Sequence, residues 1–426
     1  MLLPSAPRIT PRLPLRLRAL LEPLLQPLVA ASTLALLLGL NGGCSDSAPP
    51  DPGDIPAAAT AAPPPASGAA LDQAPQRPRE AAGLGRFADL VATLSEPDGE
   101  FFSDNLISNE TSYLQVAAQL AARPAGGAYL GVGPEQSFTY IALSRPEVAF
   151  FVDIRRGNML EHLYYRALFD EAEGRAHFLA LLLGRPHDAA GAPGPDAGVD
   201  AVIAHAERRP PDERTFAAAF ERACRRIEGS FGVRLDAGDR KTMELAARGF
   251  LDKQLALRFE LNEVSGRRYP TLRELLTQAD PEGVQRGYLA TEEAFRFVQT
   301  MQREGRIIPV VGDFAGDRAM PGIAARLRER GLKVSTFYVS NVEQYLLEPR
   351  VWEKWVRNVA ALPSDDRSLF IRAYLDQGKR HPKQMKGHRT ATVLQRIADL
   401  KVRHEKAPPS FFAISTDGAL DERDPL

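Results

Sequence analysis

One stretch constrains the fold more than any other, residues 128–158 with the sequence AYLGVGPEQSFTYIALSRPEVAFFVDIRRGN. It predicts a strand, a tight turn at Gly131-Val132-Gly133-Pro134, a helix over 137–143 and an apolar strand over 148–152. Asp153 follows the second strand, about twenty residues after the glycines. Two strands joined by a helix favour an α/β fold with a doubly wound, mainly parallel, Rossmann-like sheet.

The glycines and the acid together suggest a ligand site. In doubly wound sheets a glycine turn lies beside the ligand, and a carboxylate after the second strand binds ribose hydroxyls. Gly131, Gly133 and Asp153 therefore predict a site for a nucleotide-type small molecule. The alternative interpretation is an ordinary strand–helix–strand unit in which the glycines only form a tight turn.

The same stretch resembles the first motif of class I S-adenosylmethionine-dependent methyltransferases. Gly131 and Gly133 match the first two glycines of that motif, and Asp153 matches its ribose-binding acid. Tyr129 stands where the family has an acid, and Glu135 replaces the third glycine. The resemblance implies S-adenosylmethionine as cofactor, with Glu135 near its methionine part, where the carboxylate pairs with the ammonium or marks a different ligand.

Further strands are predicted at 307–311, 334–340, 368–375 and 411–415, with a helix over 320–330. The first of these strands ends at Gly312-Asp313-Phe314. The resemblance implies that Asp313 contacts the adenine edge and that Phe314 stacks beside it. The alternative is that Asp313 begins a turn and caps the next segment.

Two polar residues after the fourth strand are candidate catalytic residues. By the resemblance, Asn341 and Glu343 face the methyl acceptor, where Asn341 orients it and Glu343 accepts a proton. The alternative is a helix start in which Ser340 or Asn341 is the N-cap and Glu343 completes a capping box.

A dense polar block, SDNLISNETS at 103–112, precedes an amphipathic helix. The stretch from this block to Gly-Val-Gly-Pro-Glu-Gln resembles a family of uncharacterised bacterial proteins with a methyltransferase-like fold. In such a fold the N-terminal helix lies across the ligand entrance, which implies that Asn105, Asn109 and Glu110 line it. The alternative is a helix start preceded by a polar loop.

The segment 159–305 is predominantly helical in pattern and separates the first part of the Rossmann-like domain, 81–158, from the second, 306–426. We interpret it as an inserted cap, which covers a ligand cleft or forms an oligomer surface. A basic loop at 379–389 follows the fifth predicted strand. It either contacts an anionic partner or is a solvated surface.

The N-terminus has the features of an export signal over residues 1–44. Four arginines precede the apolar run 28–40, and Gly42-Gly43-Cys44 resembles a lipobox, although Asn41 departs from it. Cys44 is therefore the candidate lipidation site, with 45–80 as an Ala/Pro-rich tether and the cell envelope as location. An uncleaved anchor, or a misassigned start and a cytoplasmic protein, is the alternative.

Composition excludes some classes of function. The formal net charge is −1, so no general basic field favours nucleic acid. With Cys44 lipidated, Cys224 is left alone in a helical pattern and is interpreted as a core residue. His381 and His388 are seven residues apart in the basic loop, and we predict no metal site.

Two functions follow. The first is a methyltransferase-like enzyme that binds S-adenosylmethionine and transfers a methyl group to an unknown acceptor. The second is a membrane-tethered, non-catalytic binding protein that keeps the same cleft. Export favours the second, because S-adenosylmethionine is a cytoplasmic cofactor.

Overall fold

The computed structural model describes residues 82–103, 105–260, 268–376, 378–421 and Asp424. These residues belong to one compact unit, Pro75–Leu426. The predicted export signal, Cys44 and the tether lie outside the described residues. Among the helices that are described, none has both the length and the apolar character needed to cross a membrane.

A six-stranded, mostly parallel sheet forms the centre of this α/β protein. The strands are β1 (Ala128–Gly131), β2 (Val148–Asp153), β3 (Ile307–Val311), β4 (Val334–Ser340), β5 (Leu369–Leu375) and β6 (Thr390–Arg396). Their order across the sheet is β3-β2-β1-β4-β5-β6. The first five strands pair in parallel, and β6 pairs antiparallel with β5. The carboxyl ends of β1 to β5 therefore lie along one edge.

The apolar runs in the sequence explain the inner strands. All residues of β1, β2 and β3 are buried, as expected for parallel strands with both faces covered. The predictions of strands at 307–311 and 334–340 are confirmed with the same bounds.

The described residues form fourteen α-helices. They are α1 (Phe87–Leu94), α2 (Ala117–Ala121), α3 (Gln136–Ser144), α4 (Arg156–Glu171), α5 (Arg175–Leu182), α6 (Val199–Glu207), α7 (Glu213–Glu228), α8 (Ala237–Lys253), α9 (Leu272–Leu276), α10 (Glu292–Arg303), α11 (Ala319–Glu329), α12 (Pro349–Ala361), α13 (Asp399–His404) and α14 (Phe411–Thr416). Short 3-10 turns occur at Tyr113–Val116, Ala189–Gly191, Gln254–Ala256 and Val342–Tyr345.

Seven of these helices, α4 to α10, lie between β2 and β3 in the chain. Helix α4 packs against both strands and against α7 and α8, so it links the other helices to the sheet. Its aromatic side chains, with Phe138 and Phe178 from neighbouring helices, form a buried cluster. Cys224 in α7 is buried and free, as predicted for a core residue.

The C-terminal part differs from the sequence prediction in two places. The apolar run at 411–415 is helix α14 rather than a strand, and Ser410 caps it by accepting a hydrogen bond from the Ala413 N–H. The last strand is instead β6, which begins directly after the basic loop. Short apolar runs do not distinguish a buried strand from a buried helix.

Candidate functional site

The glycine turn joins β1 to α3, and it is largely buried. Gly133 adopts φ +75°, a conformation that favours glycine. A Cβ atom on Gly131 would come within 2.6 Å of the Tyr129 ring. The Nε2 atom of His162 lies 2.8 Å from the Gly133 carbonyl oxygen. Burial lowers the pKa of His162 to about 4, so a neutral ring donates this hydrogen bond.

Asp153 ends β2 beside this turn, as predicted, but its carboxylate is already bound. Its Oδ1 atom accepts hydrogen bonds from the Arg155 backbone N–H at 2.9 Å and from Nε at 3.0 Å, and its Oδ2 atom accepts one from Nη2 at 2.9 Å. The Arg155 guanidinium also donates to the Ser103 carbonyl oxygen. A ribose would have to displace Arg155 from both oxygens.

Residues 95–99, which we call the N-terminal strap, cover the carboxyl ends of β2 and β3. The Glu96 N–H donates to the Val311 carbonyl at 2.8 Å, and the Val311 N–H donates to Ser95 Oγ at 3.1 Å. The Gly99 N–H donates to the Ile154 carbonyl at 2.7 Å. The strap thus satisfies backbone groups that would otherwise face a ligand.

The Glu96 side chain occupies the loop after β3. Its carboxylate accepts hydrogen bonds from the backbone N–H groups of Asp313 at 3.0 Å, Arg318 at 2.9 Å and Ala319 at 2.8 Å. Asp313 in turn accepts the Ala315 N–H at 2.8 Å, and partial burial raises the pKa of its carboxyl. These contacts match the turn interpretation of Asp313 rather than an adenine contact.

Phe314 belongs to the core rather than to a ligand surface. Its ring is 2% exposed and stacks on Trp355, with ring centroids 5.3 Å apart. Phe337 from β4 packs edge-on against it at 5.0 Å. The implied stacking of Phe314 on adenine is therefore not supported by its surroundings.

Glu135 is buried at the start of α3. Its Oε2 atom has no hydrogen-bond partner in the described part of the chain. Burial raises the pKa of this carboxyl to about 8, so it is mostly protonated at pH 7. A neutral carboxyl does not pair with an ammonium group as the resemblance implies.

A buried polar network lies between β1 and β4, around Glu110. The Glu110 carboxylate accepts hydrogen bonds from Tyr338 at 2.7 Å, from Ser340 at 2.6 Å and from Gln136 at 2.9 Å. Ser108 donates to the amide oxygen of Gln136. Burial raises the pKa of Glu110. Glu110 is thus an interior residue that ties the polar block to the sheet, rather than an exposed entrance residue.

The candidate catalytic residue Glu343 has no exposed surface. The Arg372 guanidinium donates to both of its oxygens, and Trp355 Nε1 donates to Oε1 at 3.0 Å. This ion pair assigns Glu343 to the interior, where it cannot serve as a base toward a substrate. Asn341 is half-buried and precedes the 3-10 turn Val342–Tyr345, with Ser340 Oγ at 3.4 Å from its Oδ1 atom.

A cavity of about 460 Å³ lies at the other end of the same edge, where β5 ends and β6 begins. Three segments distant in sequence form its walls: the polar block, residues 268–278 and residues 375–390. The polar lining includes Asn109, Thr111, Gln278, Asp376, His388 and Arg389. Gln278 donates to the Thr111 carbonyl, and Thr111 lies 3.3 Å from Thr390, so the three walls are joined.

The acids of the cavity are already hydrogen-bonded. Glu274 accepts the Thr271 N–H at 2.7 Å in a capping box and the Arg268 guanidinium at 3.1 Å. Asp376 accepts the Gly378 N–H at 3.0 Å. These hydrogen bonds partly screen the negative charge of the carboxylates, so that the acids repel an anionic ligand less strongly.

Two basic side chains of the cavity, unlike its acids, have polar atoms without a hydrogen-bond partner in the described part of the chain. Within the described ranges, the exposed Arg389 guanidinium makes no hydrogen bond or ion pair. The Nδ1 atom of His388 is buried and also has no partner there. The Arg389 guanidinium is a donor available to an acidic ligand, and the His388 ring nitrogen is a donor or an acceptor according to the tautomer of the ring.

The structure therefore separates the predicted site residues into two groups. Gly131, Gly133 and Asp153 lie at the closed end of the edge, whereas Asn109 and the basic loop meet at the open cavity. Asn105 is not among the cavity residues; it adopts φ +48° and accepts a hydrogen bond from Ser103 Oγ at 2.7 Å. Sequence reasoning missed the wall 268–278, which carries no motif.

Fold and site together define an α/β protein with a mostly parallel sheet and a polar cavity at its carboxyl edge. Residues 106–422 match the family model described as a domain of unknown function, DUF7790. The match covers most of the 426-residue chain, so the chain belongs to this family. No curated protein matches it significantly in sequence.

Proposed function

We propose that the protein binds a small acidic molecule in the cavity between the polar block, residues 268–278 and the basic loop. The observation that carries this proposal is the pairing of a cavity of about 460 Å³ with the Arg389 guanidinium and the Nδ1 atom of His388, both unpartnered among the described residues. Small-molecule sites have volumes of roughly 300–1,000 Å³ and a few convergent polar groups. The cavity has both properties.

We infer an acidic ligand because the acids of the cavity have hydrogen-bond donors within the protein, whereas one of its basic side chains has no acceptor in the part of the chain that the structure describes. Glu274 and Asp376 already accept hydrogen bonds from the protein, whereas Arg389 has its charge free. A carboxylate or phosphate group would accept from Arg389 in a charge-assisted hydrogen bond, and Thr390 or Asn109 would complete its contacts.

The strand order, with a cavity at the carboxyl edge, supports a doubly wound, Rossmann-like interpretation of the sheet. In such sheets ligands bind beyond the carboxyl ends of the strands, next to the point where strand order reverses. Here the order reverses between β1 and β4. The polar block contacts β4 through Glu110, and the residues on either side of it, Asn109 and Thr111, line the cavity. The helices between β2 and β3 then act as an inserted cap, since residues 268–278 close one wall.

A matched pair of variants tests this proposal. Inorganic phosphate and citrate, added at constant ionic strength, should raise the melting temperature of the full-length protein. Arg389→Gln should weaken binding at least about tenfold, because a charge-assisted hydrogen bond contributes about 1.5–3 kcal/mol. Lys386→Gln removes the same charge from an exposed position outside the lining and should have no such effect. Equal losses in the two variants, or no response of the wild type, would contradict the proposal.

A second candidate is a nucleotide-type ligand at the glycine turn. The observation in its favour is Asp153 at the end of β2, adjacent to a turn with Gly133 in the left-handed region. S-adenosylmethionine does not fit the residues as they lie, because Arg155 holds Asp153, Glu135 is mostly neutral and Phe314 is in the core. We therefore derive no methyl-transfer step from the structure.

Calorimetric titration separates this candidate from the first. If the Asp153 carboxylate binds a ribose, Arg155→Ala should strengthen binding of S-adenosylmethionine or S-adenosylhomocysteine by removing the competing guanidinium. Absence of binding in both the wild type and Arg155→Ala would exclude the glycine turn as a site for these compounds.

The lipobox-like sequence supports a location at the membrane of the cell envelope. Cys44→Ala should abolish incorporation of a labelled fatty acid and leave an unprocessed precursor. Unchanged labelling of the variant would show that Cys44 is not the lipidation site.

A further inference from the structure

Three of the seven histidines in the chain gather among the helices between β2 and β3. One carboxylate oxygen of Glu173 and one ring nitrogen each of His177 and His187 lie within 4.8 Å of one another. Glu173 precedes α5, His177 lies in its first turns, and His187 follows in the loop before α6. The side chains are exposed or half-buried, so a solute ion can reach them.

His205, in α6, adds a third imidazole to the group. Its ring centroid lies 5.7 Å from that of His187, with the rings edge-to-face. His205 is 4% exposed, and its Nδ1 atom has no hydrogen-bond partner in the described ranges. The Nδ1 atom of His187 is likewise buried without a partner there. Buried ring nitrogens without partners are costly unless something binds them.

The surrounding charges favour a cation. Glu173 and Asp188 lie near the rings, whereas Glu171 and Asp170 are bound by Arg222 and Arg226. The ring nitrogens of neutral histidine are common metal ligands, and the Nδ1 atom of His187 has no competing partner in the described ranges.

We propose that Glu173, His177 and His187 form a binding site for a first-row divalent transition metal such as Zn²⁺, with His205 or a water molecule as the fourth ligand. Imidazole nitrogen and carboxylate oxygen are ligands that Zn²⁺ prefers. Mg²⁺ and Ca²⁺ prefer sets of oxygen ligands, so this site discriminates against them. The metal would join α5, the loop 184–198 and α6.

Binding requires a local rearrangement. The rings of His177 and His187 are stacked in parallel, with centroids 4.5 Å apart, and must turn until their nitrogens converge. His177 Nδ1 also accepts a hydrogen bond of 3.3 Å from the Glu173 N–H. That bond is lost whichever ring nitrogen binds the metal, because the accepting nitrogen either takes the metal or takes the proton.

The prediction of no metal site rested on sequence spacing and did not anticipate this cluster. The available signal was the pair Glu173 and His177, four residues apart at the start of α5. His187 and His205 lie at separations that match no common metal motif. Only the packing of α5 against α6 brings them together.

The experiment is calorimetric titration of Zn²⁺ into the full-length protein, purified with chelator and then freed of it. We expect one site for Zn²⁺ and no competition from Mg²⁺. The double variant His177→Gln/His187→Gln should bind at least about tenfold more weakly, since even the loss of a residue that only supports a metal ligand costs about 10–100-fold. His388→Gln, which removes a histidine that is not in this cluster, should bind Zn²⁺ like the wild type.

Two further measurements keep the proposal testable if the double variant folds poorly. Glu173→Gln changes an exposed side chain and should weaken Zn²⁺ binding without unfolding the protein. Co²⁺ should give the visible absorption of a tetrahedral site in the wild type, and this absorption should be weaker in Glu173→Gln. No Zn²⁺ binding by the wild type, or the same affinity in all of these variants, would overturn the proposal.

Discussion

Asp153 and Asp376 both follow a parallel strand at the same edge of the sheet, yet their surroundings are opposite. Asp153, at the end of β2, is buried and holds Arg155 through both carboxylate oxygens. Asp376, after β5, accepts the Gly378 N–H and borders the open cavity. Equivalent positions in a fold thus have different surroundings according to what the rest of the chain places over them.

The closed end is covered by a segment that precedes the sheet in sequence and by a residue that follows β2. The N-terminal strap and Arg155 occupy the carboxyl ends of β2 and β3. At the open end, the basic loop connects the paired strands β5 and β6 and borders the cavity. The contrast indicates that a sequence motif locates the edge of a sheet and does not show whether that edge is accessible.

The largest expected effect concerns Glu343, which follows β4 between the closed end and the open end of the sheet edge. Glu343→Gln should lower the free energy of unfolding by about 3–5 kcal/mol, because it leaves the buried Arg372 without its counter-charge. Urea denaturation would measure this. Asp317→Asn, which breaks the exposed pair with Lys354, should leave the unfolding midpoint nearly unchanged. A stable Glu343→Gln variant would restore the catalytic interpretation of this residue.

The next prediction compares the two strand-end acids directly. Asp153→Asn should destabilise the protein by about 1.5–3 kcal/mol, the usual contribution of hydrogen bonds to a charged group. Asp376→Asn should change stability by no more than about 0.5 kcal/mol, since it keeps an oxygen that can accept from Gly378. Denaturation curves recorded in parallel test the contrast, and equal effects would remove it.

A smaller, pH-dependent effect is expected at Glu135 in the closed glycine turn. Its pKa is raised from 4.5 to about 8 on folding, so the folded state holds the proton more tightly. The stability from this group is present below pH 4.5 and is lost as the pH rises toward 8. Between these values the free energy of unfolding falls by up to about 1.4 kcal/mol per pH unit.

Glu135→Gln isolates this contribution, because a neutral amide does not titrate. Denaturation of wild type and variant at several pH values from 5 to 8 should show the variant gaining stability relative to the wild type as the pH rises. A constant difference across this range would mean that the Glu135 carboxyl titrates normally.

The smallest effect distinguishes two asparagines that the sequence predicted at the entrance, Asn105 and Asn109. Asn109→Ala should weaken phosphate or citrate binding by about 2- to 10-fold, the effect of one neutral hydrogen bond. Asn105→Gly is the matched control, since glycine accepts the φ of +48° that Asn105 adopts. It should leave affinity unchanged, because Asn105 does not line the cavity. A loss of affinity in both variants would extend the site toward the closed end.

Much of the fold could be predicted, because β1 to β5 are apolar runs separated by helical patterns. Strand β6 could not be predicted, because it contains the polar residues Thr390, Thr392 and Gln395. These side chains are buried only because residues distant in sequence form hydrogen bonds with them. Ser112 contacts both threonines, and Arg372 donates to Gln395. A polar residue in a sequence does not reveal such partners.

The candidate site was predictable only where its residues were unusual in sequence. Asn109 and the basic loop could be recognised by their polar and charged composition, and both reach the cavity. Glu110 and Glu343 were also recognised, but their partners Tyr338 and Arg372 arrive from other strands and make them interior residues. Burial of this kind depends on tertiary contacts rather than on local pattern.

Glu96 has a consequence for where the folding unit begins. The family match starts at residue 106, yet α1 packs against β3 and α11. Glu96 also binds three backbone N–H groups between the end of β3 and the start of α11. A chain trimmed to the matched residues would lack Leu90, Val91 and Leu94 and would expose the surface on which they pack. It would also leave those three N–H donors without the carboxylate that accepts from them. The unit that folds is therefore longer than the unit that sequence comparison delimits, and its amino-terminal border lies before Phe87.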